Sequence, residues 1–135
     1  MPATDIAYRI DPFPSDEELR PAWRSAWGSP WTGDLARILA CSLVHACAYS
    51  GDRLVGYVNV AWDGGIHAFL LDTTVDSQFQ RRGIARELVR IVTLEARGRG
   101  AQWLHVDYEP RLEPFYKGCG FRHTSAGLID LTRPA

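Results

Sequence analysis

The chain has one lysine (Lys117), one methionine and three cysteines among its 135 residues. Fifteen Lys+Arg against sixteen Asp+Glu leave a formal net charge of −1. A balance so near neutral argues against general nucleic-acid binding, which needs a strongly basic face. The three cysteines, Cys41, Cys47 and Cys119, are an odd number and read as reduced core thiols rather than a disulfide framework. Cys41, His45 and Cys47 raise the question of zinc, as do Cys119 and His123. Neither spacing matches a zinc pattern, so no metal is expected. No apolar run approaches the roughly 20 residues of a membrane helix. Met1-Pro2-Ala3-Thr4-Asp5 lacks the basic and apolar regions of a signal peptide, so the expected location is the cytoplasm. There is no P-loop, G-x-S-x-G elbow, H-E-x-x-H motif or internal repeat. What remains is 46% hydrophobic and 23% charged, a globular composition. The length suits one domain, expected to span 1–135.

Residues 6–10 read as a first strand. Ser15-Asp16-Glu17-Glu18 reads as a helix start, with a hydroxyl cap and acids in the first turn. That helix is expected to run to Trp27, with Leu19, Trp23 and Trp27 on one face and Pro21 near its start. A second helix is expected from Thr32 to Ser42. Val44–Tyr49, Arg53–Trp62 and Ile66–Val75 read as an antiparallel meander, punctuated by Ser50-Gly51-Asp52 and Asp63-Gly64-Gly65. From Arg82 to Arg97 the period becomes helical, with Ile84, Leu88, Ile91 and Val92 on one face. Gln102–Tyr108 reads as a strand, a short helix follows Pro110, and a last strand or hairpin is expected over Phe121–Leu131. Strand, helix, strand in that order implies a right-handed parallel crossover. The expected fold class is α/β, or α+β: a mixed sheet, antiparallel first and parallel after, with helices covering it.

The chemistry concentrates where the third meander strand enters the long helix, over Asp72-Thr73-Thr74-Val75-Asp76-Ser77-Gln78-Phe79-Gln80-Arg81-Arg82-Gly83-Ile84-Ala85. A helix start carries unpaired N–H groups and the positive end of the helix dipole. Gly83 lets a ligand approach the backbone closely, and Ala85 is nearly as permissive. Between Phe79 and Gly100 stand six arginines against two glutamates, a local excess of positive charge in a near-neutral chain. Such a helix start suits phosphate. The same residues would also serve as helix–sheet packing beneath a solvated basic face.

Gln80-x-x-Gly83-x-Ala85 fits Q/R-x-x-G-x-G/A, and here the chain resembles the GNAT superfamily of acyl-CoA-dependent N-acetyltransferases. Thr73-Thr74-Val75 resembles the end of that family's fourth strand. Phe115-Tyr116-Lys117-Gly118-Cys119-Gly120-Phe121 is similar to its F-Y-x-x-x-G-F segment. The element order is also similar, so the likeness covers essentially the whole chain. The resemblance implies a GNAT-like fold with the fourth and fifth strands splayed apart, and acetyl-CoA as cofactor. It implies cofactor binding by Thr73, Thr74, Val75, Gln80, Arg81, Arg82, Gly83, Ile84, Ala85 and Arg86. It implies Tyr116 as the general acid that protonates the leaving thiolate, and polarisation of the carbonyl by a backbone N–H near Val75. His105 stands about where some relatives carry a glutamate base and has a suitable pKa. Asp72, Asp107, Glu109 and a water chain are its rivals. Two departures are Ser77, where proline is common, and Glu109-Pro110 near the place of a frequent asparagine.

The family walls its acceptor site with the segment joining the first two helices, here Trp27-Gly28-Ser29-Pro30-Trp31. Trp23 and Trp27 read as core, and Trp31 and Trp62 as pocket candidates. Asp107, Glu109 and Glu113 against Arg111 make the end of the fifth strand acidic, which favours a cationic amine. The expected activity is N-acetylation of a primary amine on a small molecule. Alternatives are a protein N-terminal or lysine acetyltransferase and a non-catalytic acyl-CoA-binding module. Neither nucleic acid nor membrane is an expected partner, and the family's frequent dimers leave a homodimer open.

Overall fold

Five strands organise the chain, and the computed structural model describes residues 5–134; the first four residues of the N-terminal segment read above lie outside the described residues. In chain order the elements are β1 (Ile6–Ile10), α1 (Asp16–Trp27), α2 (Leu35–Ala40), β2 (Ser42–Ser50), β3 (Arg53–Trp62) and β4 (His67–Val75). A 3-10 turn (Ser77–Phe79), α3 (Ile84–Gly98), β5 (Trp103–Val106), a second 3-10 turn (Pro110–Leu112) and α4 (Glu113–Gly118) follow. The strands lie in the order β1-β2-β3-β4-β5. Each neighbouring pair among the first four is antiparallel, and β5 joins β4 in parallel after the α3 crossover. This is the mixed sheet the sequence implied.

Local chemistry sets the boundaries. The Ser15 hydroxyl accepts from the Glu18 N–H while the Glu18 carboxylate accepts from the Ser15 N–H. That reciprocal cap fixes the first turn of α1, so Pro21 is carried inside the helix. Gly28, at φ +72°, ends the helix in the left-handed region, and its N–H donates to the Arg24 carbonyl. The second helix starts later than expected, because Asp34 rather than Thr32 is its cap: the Asp34 carboxylate accepts from the Arg37 N–H.

Successive residues of a strand face opposite sides of the sheet. β2 and β3 are buried on both sides, which explains their nearly unbroken apolar run. One side packs Val44, Ala46, Val58, Val60 and Leu70 against Ile84, Leu88 and Val92 of α3. The other packs Cys47, Tyr49 and Tyr57 against Leu19, Ala22 and Leu35 of α1 and α2. Gly56 lies where α3 presses closest on the sheet. A Cβ there would stand 3.0 Å from Leu88 Cδ1 and 3.2 Å from Ile84 Cγ2. Gly56→Val is therefore expected to cost about 1–3 kcal/mol by overpacking. It should also displace the start of α3, because Ile84 is the first residue of that helix. Thermal melting and amide hydrogen exchange at the start of α3, on one preparation, check both effects.

The last expected element is absent. Phe121–Leu131 forms no strand, and β5 remains the edge of the sheet. A four-residue edge offers few ladder bonds, and His123-Thr124-Ser125-Ala126-Gly127 brings no large apolar side chain to bury across it. The segment instead arches past β5 over a cavity of about 900 Å³. β5 is also shorter than expected, ending at Val106 where it parts from β4. No helix among the described residues is long and apolar enough to cross a membrane.

Candidate active site at the splayed strands

The parallel pairing of β4 with β5 stops at Leu70 opposite Val106, while β4 continues to Val75. The backbone from Leu71 to Val75 thus borders a wedge instead of a partner strand. Thr73, Thr74 and Val75 lie on this stretch. The Val75 side chain is buried in the core, which leaves only its backbone for a ligand.

Beyond β4 the loop is held from beneath. Asp76 is almost fully buried and accepts from Ser25 Oγ, the Gln78 N–H and the Arg53 guanidinium. Gln80 Nε2 donates to the Val75 carbonyl, so this side chain shapes the loop. Arg53 and Arg82 both stack on the Phe79 ring. Arg81 sits at φ +63°, unusual for a residue with a Cβ. Gly83 follows at φ +79°, and no side chain caps α3. The first N–H with an intrahelical partner in α3 is that of Glu87, which donates to the Gly83 carbonyl. The donors of Ile84, Ala85 and Arg86 therefore have no such partner. A Cβ at Gly83 would meet nothing within 4 Å, so open space lies over these donors. Beside them is a cavity of about 300 Å³ whose lining includes Gly83, Arg86, Gly118 and Cys119, with Arg90 paired to Glu87 at its edge. Arg86 also donates to the Gly118 carbonyl and so ties α3 to α4. Uncapped donors, clustered arginines and an open cavity fit a pyrophosphate group. The Ile84 side chain is core, and only its N–H belongs to the site.

Tyr116, on α4, reaches the wedge from the α3 side. Its ring stacks on Tyr108 at 4.9 Å between centroids and meets Phe115 and Phe121 edge-on. Burial pushes its pKa above the ordinary tyrosine value, opposed by the nearby Thr73 hydroxyl. Thr73 Oγ1 is buried without a partner of full hydrogen-bond geometry. His105 lies on the other side of the sheet: its neighbours Leu104 and Val106 pack toward α3, and its own side chain is exposed. His105 Nε2 lies 2.9 Å from His67 Nδ1, and its ring stacks on Phe69 at 4.8 Å. The two expected catalytic side chains therefore flank the sheet from opposite faces.

Trp27 and Trp31 exchange their expected places, while Trp23 packs against the core as expected. Trp31 is core, its Nε1–H donating to Asp16. Trp27 is 52% exposed at the end of α1, and its Nε1–H donates to Thr74 Oγ1. The helical face that buries Leu19 rolls outward by Trp27, because Gly28 ends α1 at the sheet margin. Trp62 lies at the β3–β4 turn, donating to the Gly65 carbonyl, at the far end of β4 from the loop. In the acidic patch Glu109 pairs with Arg111, and Glu113 Oε1 stands 3.6 Å from His123 Nδ1. Sequence reasoning passed over Tyr57 and Asn59, both buried polar residues of β3. An asparagine between Val58 and Val60 in an apolar strand is the signal that would have drawn the eye.

Residues 12–121 match the family model described as the acetyltransferase (GNAT) family. Among curated proteins, 79 residues of the chain are 29% identical to a chloroplastic serotonin N-acetyltransferase 2 of Oryza sativa subsp. japonica. The match spans 58% of this chain and 40% of that relative's length. Among solved structures, a GNAT-family acetyltransferase of Streptococcus pneumoniae is similar with a TM-score of 0.77 at 23% identity, covering 94% of this chain and 99% of that one. An aminoglycoside N-acetyltransferase solved with CoA gives 0.75 at 18% identity, covering 99% of each chain. At these identities the structural likeness shows the fold, and the family model spans most of the sequence. The chain belongs to the acetyltransferase (GNAT) family, whose members use acetyl-CoA as cosubstrate.

Proposed function

We propose that the chain transfers an acetyl group from acetyl-CoA to a primary amine on a small molecule, by direct attack of the amine on the thioester. The observation that carries this reading is the Tyr116 hydroxyl, buried beside Thr73 where β4 and β5 part, with burial holding its proton. Bound acetyl-CoA supplies an acetyl group activated as a thioester. The free N–H groups at the start of α3, with Arg81, Arg82 and Arg86, hold its pyrophosphate. Gln80 holds the loop in shape for it, and the backbone of Thr73–Val75 takes the pantetheine arm. An N–H near Val75 polarises the thioester carbonyl. Tyr116 gives its proton to the departing sulfur and regains one from solvent. His105, linked to His67, takes the proton released by the attacking amine on the opposite face. A small-molecule acceptor is supported by the relatives, one named for serotonin and one for aminoglycosides.

Release of free thiol from acetyl-CoA, with mass detection of the acetylated product, tests the reading across a panel of small amines and of peptides with free N-termini or lysines. Turnover of small amines is the expected result. Turnover of peptides alone would make the chain a protein acetyltransferase, and acetyl-CoA binding without any turnover would make it an acyl-CoA-binding module.

A further inference from the structure

Three buried polar atoms lack a partner among the described residues: Tyr57 Oη, Asn59 Oδ1 and Thr73 Oγ1. Thr73 belongs to the Tyr116 side. The other two belong to one place on the opposite side of the sheet. The β3–β4 ladder pairs Tyr57 with Thr74 and Asn59 with Leu71, and its register breaks between them. Asp72 lies in that break, at φ +59°. Tyr57 is 0% exposed and Asn59 1%. An unpaired hydrogen-bonding group buried that deeply is costly and rare in a folded protein. Two such atoms on β3, with Asp72 in the break of the facing strand, single this place out.

The chemistry of these atoms defines the ligand. The Asp72 carboxylate and Asn59 Oδ1 accept hydrogen bonds and cannot donate, and the Tyr57 hydroxyl accepts as well. Burial first, and then the negative charge of nearby Asp72, hold the Tyr57 phenol in its protonated form. Partial desolvation also raises the Asp72 pKa, while the residue stays open to the surface, where a ligand can reach its carboxylate. An ammonium group, with three donors and a positive charge, satisfies this set. Beside it the same sheet face is open and apolar. Phe69 and Leu71 are 39% and 40% exposed, Phe69 is stacked with His105, and Trp27 stands exposed beyond Thr74. Phe69 and Leu71 offer a polyhydroxylated body nothing to hydrogen-bond.

We infer that Asp72, Asn59 and Tyr57 form the ammonium-recognition subsite of the acceptor, and that the acceptor is a primary amine carried on an aromatic or apolar body lying over Phe69, Leu71 and His105. The inference rests on the acetyl-transfer reading above and names its substrate class. Asp72 acts here as a binding group: it takes the amine in its charged form and fixes its approach to the wedge.

The test is calorimetric titration of phenethylamine into the CoA-saturated protein, with n-butylamine and glucosamine as comparison amines. Phenethylamine should bind tightest and glucosamine weakest. Asp72→Asn, which tolerates the left-handed backbone, should weaken phenethylamine by about tenfold or more while leaving the acetyl-CoA dissociation constant unchanged. Tyr57→Phe removes one hydroxyl without emptying the core and should weaken the amine by a few-fold, again with acetyl-CoA unaffected. Equal amine affinity in wild type and both variants overturns the subsite. So does tighter binding of glucosamine than of phenethylamine, or no amine binding at all. Each of these outcomes leaves the acetyl-transfer reading standing if acetyl-CoA still binds. Loss of acetyl-CoA binding by the wild-type protein would sink that reading instead.

Discussion

Gly83→Glu should weaken acetyl-CoA binding by on the order of a hundredfold, the largest effect expected of any single change in the loop. The reason is electrostatic and local. Gly83 caps α3 without a side chain, and the space over the first free N–H groups is open. A carboxylate placed there occupies the ground reserved for pyrophosphate with a charge of the same sign. It would also satisfy the helix dipole itself, so the helix should not suffer from the charge. A cost of about 1–2 kcal/mol is expected from a Cβ in the left-handed region. Gly83→Asn separates the two effects: asparagine tolerates that backbone and brings no charge. It should melt close to the Glu variant yet keep acetyl-CoA affinity within about tenfold of wild type. Wild-type affinity in Gly83→Glu would mean that the start of α3 is packing alone.

Tyr116→Phe should lower kcat by about 10²–10⁴-fold and shift the KM for acetyl-CoA only slightly, because the hydroxyl acts on the leaving group and not on the bound cofactor. The ring would keep its stack on Tyr108 and its edge contacts with Phe115 and Phe121. Loss of activity with an unchanged melting temperature therefore points to the proton. The sign of the pH dependence follows from burial. A tyrosine whose pKa is raised above its ordinary value of about 10 stays protonated throughout the neutral range. Wild-type kcat should then show no fall assignable to Tyr116 below about pH 10. Unchanged kcat in Tyr116→Phe would remove this residue from the acid role.

Much of this geometry is local and was readable from local signals. Ser15 with Glu18 announces the start of α1, and the β3 limits at Arg53 and Trp62 follow from the turns on either side; α3 starts at Ile84 rather than the expected Arg82, because Gly83 in the left-handed region is its cap. The Gln80-to-Ala85 spacing pointed to the anion site because a helix start is built from consecutive residues. Features that depend on distant parts of the chain were not legible. Whether Trp27 or Trp31 is core depends on where α1 leaves the sheet margin. Whether Phe121–Leu131 forms a strand depends on an edge, and β5 offers a short one. The Asp72 bulge was invisible for the same reason. A one-residue slip between β3 and β4 decides which face Asp72 joins, and with it the company that Tyr57 and Asn59 keep. His105 and Tyr116 could be named from the chain, but their placement on opposite faces required the sheet.

The central claim is that the wedge between β4 and β5, with the free start of α3, holds acetyl-CoA. Isothermal titration with acetyl-CoA, alongside 3′-dephospho-CoA and NAD, tests it most directly. The account predicts saturable binding of acetyl-CoA, silence from NAD, and loss of binding in Gly83→Glu. Silence from acetyl-CoA in the folded wild-type protein would contradict it.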